Sequence, residues 1–423
     1  MNNIFDIFFF PSEQKDFDCL LPMHLYLKSV GYNSNIVGMD THGQSDLEGY
    51  SRFYHSEFPI AVMSSSWVLK SLLAIRPFGT FHSVNMEHGI APFKKYTVGH
   101  HLLEADIYLA PTQLWAERLR RLYPADAKRI RIGGFPRLDA LRDLRSAVLA
   151  ESSAARSVDP RIKRWVESGR KRKLIILSWG TNAEELDKLL DQENIAYIYH
   201  PADKSGLERR MSNKCTIISS SPRITNELLC YADCVFGDFS SLTLEAISLN
   251  IRTYLFIDRN FYCSDCDMGE DFFDRESDGF GKIPETHFKI DKNIALDRFQ
   301  LAEALISDDV SLPSLSIYDL PEGILPPTDM DNCQLAADII VDFAETSKLL
   351  SCDSFKRERF DNVMFIRDSY LKCLGRPVDL KGLLFYIEYL ESDAKPSAAL
   401  RLEFLAALAR SPEALGRLSN EHL

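Results

Sequence analysis

A chain of 423 residues exceeds what one hydrophobic core usually organises, so two or three domains are expected. Its 45% hydrophobic and 26% charged residues fit a folded globular protein and exclude the disordered and fibrous classes. The formal net charge of -12 argues against a general nucleic-acid binder, whose affinity for phosphate backbones needs an excess of Lys and Arg.

The opening Ile4 to Pro11 is apolar but too short for a membrane span, and it lacks the basic start and small-residue cleavage site of a signal peptide. It reads as a buried first strand. A cytoplasmic location, extending to the inner face of the membrane, is therefore expected, and the nine cysteines should be reduced thiols. Cys263 and Cys266 form one C-x-x-C with no second pair nearby. A structural zinc takes about four ligands, so no metal is expected there.

Up to about Ala140, short β-rich runs alternate with helical patterns: Ile4 to Phe10, a helix around Leu20 to Val30, Ile36 to Val37, Ile60 to Met63, and Ile107 to Leu109. That rhythm predicts a parallel sheet with crossover helices. The stretch from Arg145 to Arg172 reads as a charged helical connection without a strong apolar stripe. Its densest cationic run, Lys163, Arg164, Arg170, Lys171, Arg172 and Lys173, reads as a solvated flank. A second series follows at Leu174 to Leu177, Ala196 to Tyr199, Thr216 to Ser219, Cys234 to Phe236 and Thr253 to Ile257. Beyond Leu312 the pattern weakens into a Pro-containing stretch, then a helix from Gln334 to Leu350, and an all-helical unit after Ser354.

The fold class expected is α/β, with a Rossmann-like domain at 1–145, a linker at 146–172, a second Rossmann-like domain at 173–350 and a small all-α module at 355–423. Two such domains enclose a cleft, and open α/β sheets bind ligands at the carboxyl ends of their strands. Chemistry is therefore sought just after each strand.

Four places offer it. Glu87, His88 and Gly89, followed by Lys94, sit in a loop after the run ending near Met86; glycine lets a backbone approach closely, and a histidine suits a general base. Gly134, Phe135, Pro136, Arg137 and Asp139 follow Ile130 to Ile132 as a strand end, a fixed turn and a charge pair that either holds the linker or faces the cleft. Tyr199, His200, Pro201 and Lys204 follow a strand of the second series; the proline keeps His200 extended, where it can bond a donor phosphate with Lys204 adding charge. Ala232 to Ser241 runs from a strand ending at Gly237 through Asp238 to Ser240 and Ser241, where a helix starts. Its first-turn amides and the two hydroxyls form a phosphate cradle; a simple N-cap would explain one serine but not the adjacent Gly237-Asp238.

In this order the four motifs resemble the CDP-glycerol glycerophosphotransferase family, whose pattern is H-G-x4-K, G-[FY]-P-R-x-D, H-P, then A-D-x3-[GT]-D-[YF]-S-S, here over roughly residues 85 to 257. The resemblance implies a GT-B fold, with donor nucleotide on the C-terminal domain and acceptor on the N-terminal one. It extends to transferases of CMP-activated sugar acids, the sialyl and Kdo types, which use a comparable His-Pro. Two departures bear on the donor. A Thr-Trp-Arg element typical of the polyol-phosphate enzymes is replaced by Ser178, Trp179, Gly180 and Thr181, with no arginine. A late Pro-Gly-Pro segment with a basic flank is replaced by an acidic stretch containing Glu270, Asp271, Asp274, Glu276 and Asp278. Phosphate transfer from a diphosphate needs cations to offset spreading charge. A CMP-activated sugar acid such as CMP-Kdo asks less, and is the donor expected.

On that reading His200, Pro201, Lys204, Ser240, Ser241 and Ser178 bind the donor, and Glu87 or His88 takes a proton from the acceptor hydroxyl of a glycan or lipid-linked glycan of the bacterial surface. Asp238 is either a nucleophile at the anomeric carbon, if configuration is retained, or an orienting group, if it is inverted. No cofactor is expected beyond the donor. The alternatives are a CDP-glycerol or CDP-ribitol phosphotransferase with His88 as base, and a non-catalytic glycan-binding or scaffold protein. The C-terminal unit resembles a helical module of phycobilisome-linker-like proteins through Tyr370, Leu374 to Arg376, Asp379, Gly382, Tyr386 and Ser411 to Glu413. That resemblance implies a partner protein, a glycan or a spacer role, with peripheral membrane or assembly-protein association.

Overall fold

The computed structural model describes residues 5–12, 14–38, 46–56, 58–73, 81–90, 99–151, 159–168, 170–176, 193–199, 216–219, 222–237, 240–256, 295–296, 301, 303–305, 314, 320, 322–327, 330–346, 357–374, 378, 380–390 and 397–415. Among these, twelve strands form two six-stranded sheets. The first half runs β1 (Asp6–Phe10), α1 (Gln14–Ser29), β2 (Ser34–Ile36), α2 (Leu47–His55), β3 (Pro59–Met63), α3 (Ser66–Leu73), β4 (His82–Met86), β5 (Ile107–Ala110), α4 (Gln113–Leu122), β6 (Ile130–Ile132), α5 (Pro136–Glu151) and α6 (Pro160–Val166). The second runs β7 (Lys173–Ile176), β8 (Ile195–Tyr199), β9 (Thr216–Ser219), α7 (Pro222–Tyr231), β10 (Cys234–Gly237), α8 (Ser241–Ser248), β11 (Arg252–Phe256), β12 (Ala295–Leu296) and α9 (Asn332–Thr346). The helices α10 (Arg357–Leu374), α11 (Leu380–Leu390) and α12 (Ser397–Ala409) follow.

The sheet orders are β2-β1-β3-β4-β5-β6 and β12-β11-β10-β7-β8-β9. The strands pair in parallel, with registers such as Ile7↔Ile60, Val62↔Val84, Val235↔Leu174 and Ile175↔Tyr197. Parallel strands are covered on both faces, so continuous apolar runs replace alternation. Ile7, Phe8, Phe9 and Phe10 in β1 are all buried, as are Leu174, Ile175 and Ile176 in β7. The architecture is α/β with two Rossmann-like halves, as the alternating runs predict.

The residues divide into two compact units, one of Met1–Met86, His101–Tyr108 and Ala337–Leu423, the other of Glu87–His100 and Leu109–Ala336. Both are assembled from non-contiguous stretches. In the first, the C-terminal helices share one apolar cluster with the early strands and helices: Phe8, Phe10, Phe53 and Phe81 belong to it together with Ile366, Tyr370, Ile387 and Phe404. Tyr386 packs edge-on to Phe404 at 4.7 Å between ring centroids. In the second unit, Trp165 of α6 is fully buried and its indole N–H donates to the Asn194 carbonyl at 2.8 Å.

The cationic run differs from its expected solvated character at its end. Lys173 opens a central strand and is fully buried, its ammonium donating to the Leu305 carbonyl at 2.7 Å. Arg172 forms a fork with Asp233, through Nε at 2.9 Å and Nη2 at 2.7 Å, while its backbone N–H donates to the same carboxylate at 2.8 Å. Burial pushes the Asp233 carboxyl up, but the Arg172 hydrogen bonds and charge outweigh it and hold the group below the usual carboxylate range. A depressed native pKa adds stability above the unfolded value of about 3.9, and that stability is lost as pH falls through the native value. Replacing Asp233 by Asn should therefore lower the denaturation midpoint at pH 7, and the gap to the wild type should narrow progressively as pH falls below the unfolded carboxylate value of about 3.9 in parallel urea melts. A gap independent of pH would refute this.

Candidate functional site

The loop after β4 and the start of α8 meet within the second unit. Strand β4 is wholly buried, Glu87 is still buried, and the chain then turns through the half-buried His88 and Gly89 to the fully buried Ile90. The Ile90 backbone N–H donates to Ser241 Oγ at 3.1 Å, and a Cβ placed on Gly89 would lie 2.7 Å from the same oxygen. A side chain at 89 would have to displace the Ser241 hydroxyl, so glycine keeps this close approach open beside His88.

Helix α8 is set up by local chemistry. Ser240 is its N-cap, in extended backbone at φ -82 and ψ 161, accepting from the Thr243 N–H at 3.4 Å and lying 3.0 Å from Thr243 Oγ1. At the other end Asn250 takes the left-handed conformation, φ 54, and the Ile251 N–H bonds back to the Ala246 carbonyl at 3.0 Å, which closes the helix. The two serines thus have separate structural duties. Ser240 caps the helix, and Ser241 faces the His88 loop.

The Gly134 to Asp139 motif is a clasp. Gly134 has φ +68, which only glycine adopts cheaply, and a Cβ there would collide with the Asn332 side-chain oxygen. That oxygen accepts from the Phe135 N–H at 3.0 Å, while the Asn332 amide donates to Asp139 Oδ1 at 2.9 Å and the Cys333 N–H to Asp139 Oδ2 at 2.8 Å. Asp139 thereby caps the first turn of α9. Burial raises its pKa in spite of those hydrogen bonds. Arg137, buried on the first turn of α5, donates to Asn226 Oδ1 at 2.6 Å and lies 3.3 Å from Glu245 Oε2, on α8 and fully buried.

Ligand atoms of Asp139, Asp331 and Cys333 fall within 4.8 Å of one another, the one such acidic and thiol cluster among the described residues. Both Asp139 oxygens already accept hydrogen bonds, and burial pushes the Cys333 thiol far above its usual range, aided by the Asp139 charge. Those two hydrogen bonds to the first turn of α9 give Asp139 the role of a helix cap.

Of the residues predicted from sequence, Glu87, His88, Ser240 and Ser241 come together at the β4 loop and α8, and Arg137 and Asp139 at the clasp. Asp238, His200, Pro201, Lys204, Ser178, Lys94, Cys263 and Cys266 lie outside the described residues. Glu245, Asn226 and Asn332 carried no motif and were not anticipated. The one signal available for Glu245 was its position one helical turn beyond Ser241.

No protein-family model matches the chain, and neither does any curated protein sequence. Solved structures do. A variant of the wall teichoic acid polymerase TagF matches at TM-score 0.50 and 14% identity, over 80% of this chain and 89% of that one. UDP-GlcNAc 2-epimerase from Neisseria meningitidis, bound to UDP-GlcNAc, matches at 0.42 and 11%, over 60% and 83%. The glycosyltransferase SnogD from Streptomyces nogalater matches at 0.30 and 12%, over 60% and 82%. At such identities the likeness speaks for the fold, and with the two parallel sheets it makes the architecture that of a GT-B protein.

Proposed function

We propose that the chain is a GT-B transferase that moves a polyol phosphate from a CDP-glycerol- or CDP-ribitol-type donor to a hydroxyl of a bacterial surface glycan or its lipid-linked precursor. The observation that carries this reading is the hydrogen bond from Ile90 to Ser241, which joins the first and fourth motifs across 151 positions of sequence. Ordered motifs that also meet in space are what a shared reaction centre requires. The fold likeness to a protein named as a wall teichoic acid polymerase supports a polyol phosphate as the transferred group. On this ground we rank it ahead of the CMP-Kdo-like donor expected from the cation count.

In the proposed reaction His88 accepts the proton of the acceptor hydroxyl as that oxygen attacks the polyol-bearing phosphorus, and CMP departs with the bridging oxygen. His200, Pro201, Lys204, Ser178 and the Ser240–Ser241 helix start hold the donor, and Asp238 orients the loop. The reaction draws on no cofactor or metal, and it belongs to the cytoplasmic side, at or near the membrane where a lipid-linked acceptor is found. The second reading, transfer of a CMP-activated sugar acid with Asp238 as nucleophile or orienting group, is favoured by the two sequence departures, the absence of an arginine after Trp179 and the acidic stretch containing Glu270, Asp271, Asp274, Glu276 and Asp278.

Isothermal titration with CMP, CDP, UDP and GDP, followed by turnover of CDP-glycerol, CDP-ribitol and CMP-Kdo, separates the readings. Turnover of a CDP-polyol is the expected result. Turnover of CMP-Kdo alone would establish the second reading, and failure to bind any cytidine nucleotide would leave a glycan-binding or scaffold protein.

A further inference from the structure

Glu245 is an unassigned acid buried in the helix that carries Ser241, and its partner Arg137 is buried in the clasp. A buried ion pair is seldom the most stable solution, because an apolar pair of similar volume packs as well without desolvating two charges. What the pair adds is direction, since an ionic contact fixes one axial position where apolar surfaces tolerate a slide. Arg137 is itself held firmly. Its helix begins at the turn clamped by Asn332, and its guanidinium also donates to Asn226 of α7. Ser241 and Glu245 are four residues apart on one face of α8, about 6 Å along its axis, so a clamp on one sets the other.

We propose that Arg137 and Glu245 are positioning residues for the candidate site: their contact fixes α8 along its axis so that Ser241 is held against Ile90 and the His88 loop is kept in place. Their role in transfer rests on the proposed function, but the positioning itself does not. Hydrogen exchange of the full chain tests it without any donor. In Glu245→Gln the Ile90 amide should exchange at least about tenfold faster than in the wild type, while the amides of Val235 and Phe236 in β10 keep their wild-type rates. The double variant Arg137→Met with Glu245→Leu preserves packing without charge, guards against a failure to fold, and should release Ile90 in the same way. Unchanged exchange at Ile90 in either folded variant overturns the proposal. So does equal acceleration across β10, the mark of an ion pair that merely stabilises the fold. Because no turnover is read, a failure of the CDP-polyol assay leaves this outcome interpretable.

Discussion

Replacing His88 by alanine is expected to lower acceptor-dependent turnover by about 10²- to 10⁴-fold, the usual contribution of a positioned general base. The loss should fall on kcat, because the imidazole acts on the acceptor proton and leaves the donor nucleotide to other residues. Nucleotide affinity by titration and the thermal midpoint should stay near wild type, since His88 is only half-buried and contributes little to the core. Glu87→Gln is the informative companion. Glu87 is buried at the strand end and less accessible to an acceptor, so its loss should cost less than that of His88. If His88→Ala keeps full activity while Glu87→Gln abolishes it, the base is Glu87 and the assignment to His88 fails.

Gly134→Ala is expected to be strongly destabilising for so small a substitution. A side chain in left-handed backbone costs about 1–2 kcal/mol, and displacing Asn332 leaves the buried Phe135 N–H without its acceptor, a further cost of about 1–3 kcal/mol. The sum, roughly 2–5 kcal/mol, corresponds to a fall of about 2–6 °C in Tm if the 423 residues unfold together, at about 2.1 cal/mol/K per residue. Gly31→Ala provides the control. Gly31 has φ +94 with nothing within 4 Å of an added Cβ, so it should show the backbone cost alone. Equal losses in the two variants, measured by calorimetry, would mean that the Asn332 clasp adds nothing.

The alternation of strands and helices was legible because parallel strands bury both faces. The apolar run Leu174 to Leu177 marks β7, which spans Lys173–Ile176, and Thr216 to Ser219 coincides with β9. The two-residue β12 is too short to leave a pattern. Residues 145–172 read as lacking a stripe, yet Ile162 and Trp165, three positions apart on α6, are both fully buried. A two-residue stripe on a helix of two turns falls below what periodicity resolves. At the site, motif residues were visible because glycine, proline and histidine mark turns and chemistry. Asn332, Asn226 and Glu245 were not, since a polar residue inside a helix reads as solvent-facing until its distant partner is known. The division into units built from returning segments is likewise invisible along the chain.

The shared apolar cluster of the first unit has a consequence for synthesis. Translation delivers the early strands roughly 270 residues before the helices that help bury Phe8, Phe10 and Phe53, an interval of about 14–54 s at 5–20 residues per second. During that time the segments of the second unit emerge in full, while the first sheet waits with part of its apolar face uncovered. The nascent chain therefore finishes last the unit it began first, and this interval is when a holding chaperone would have most to do.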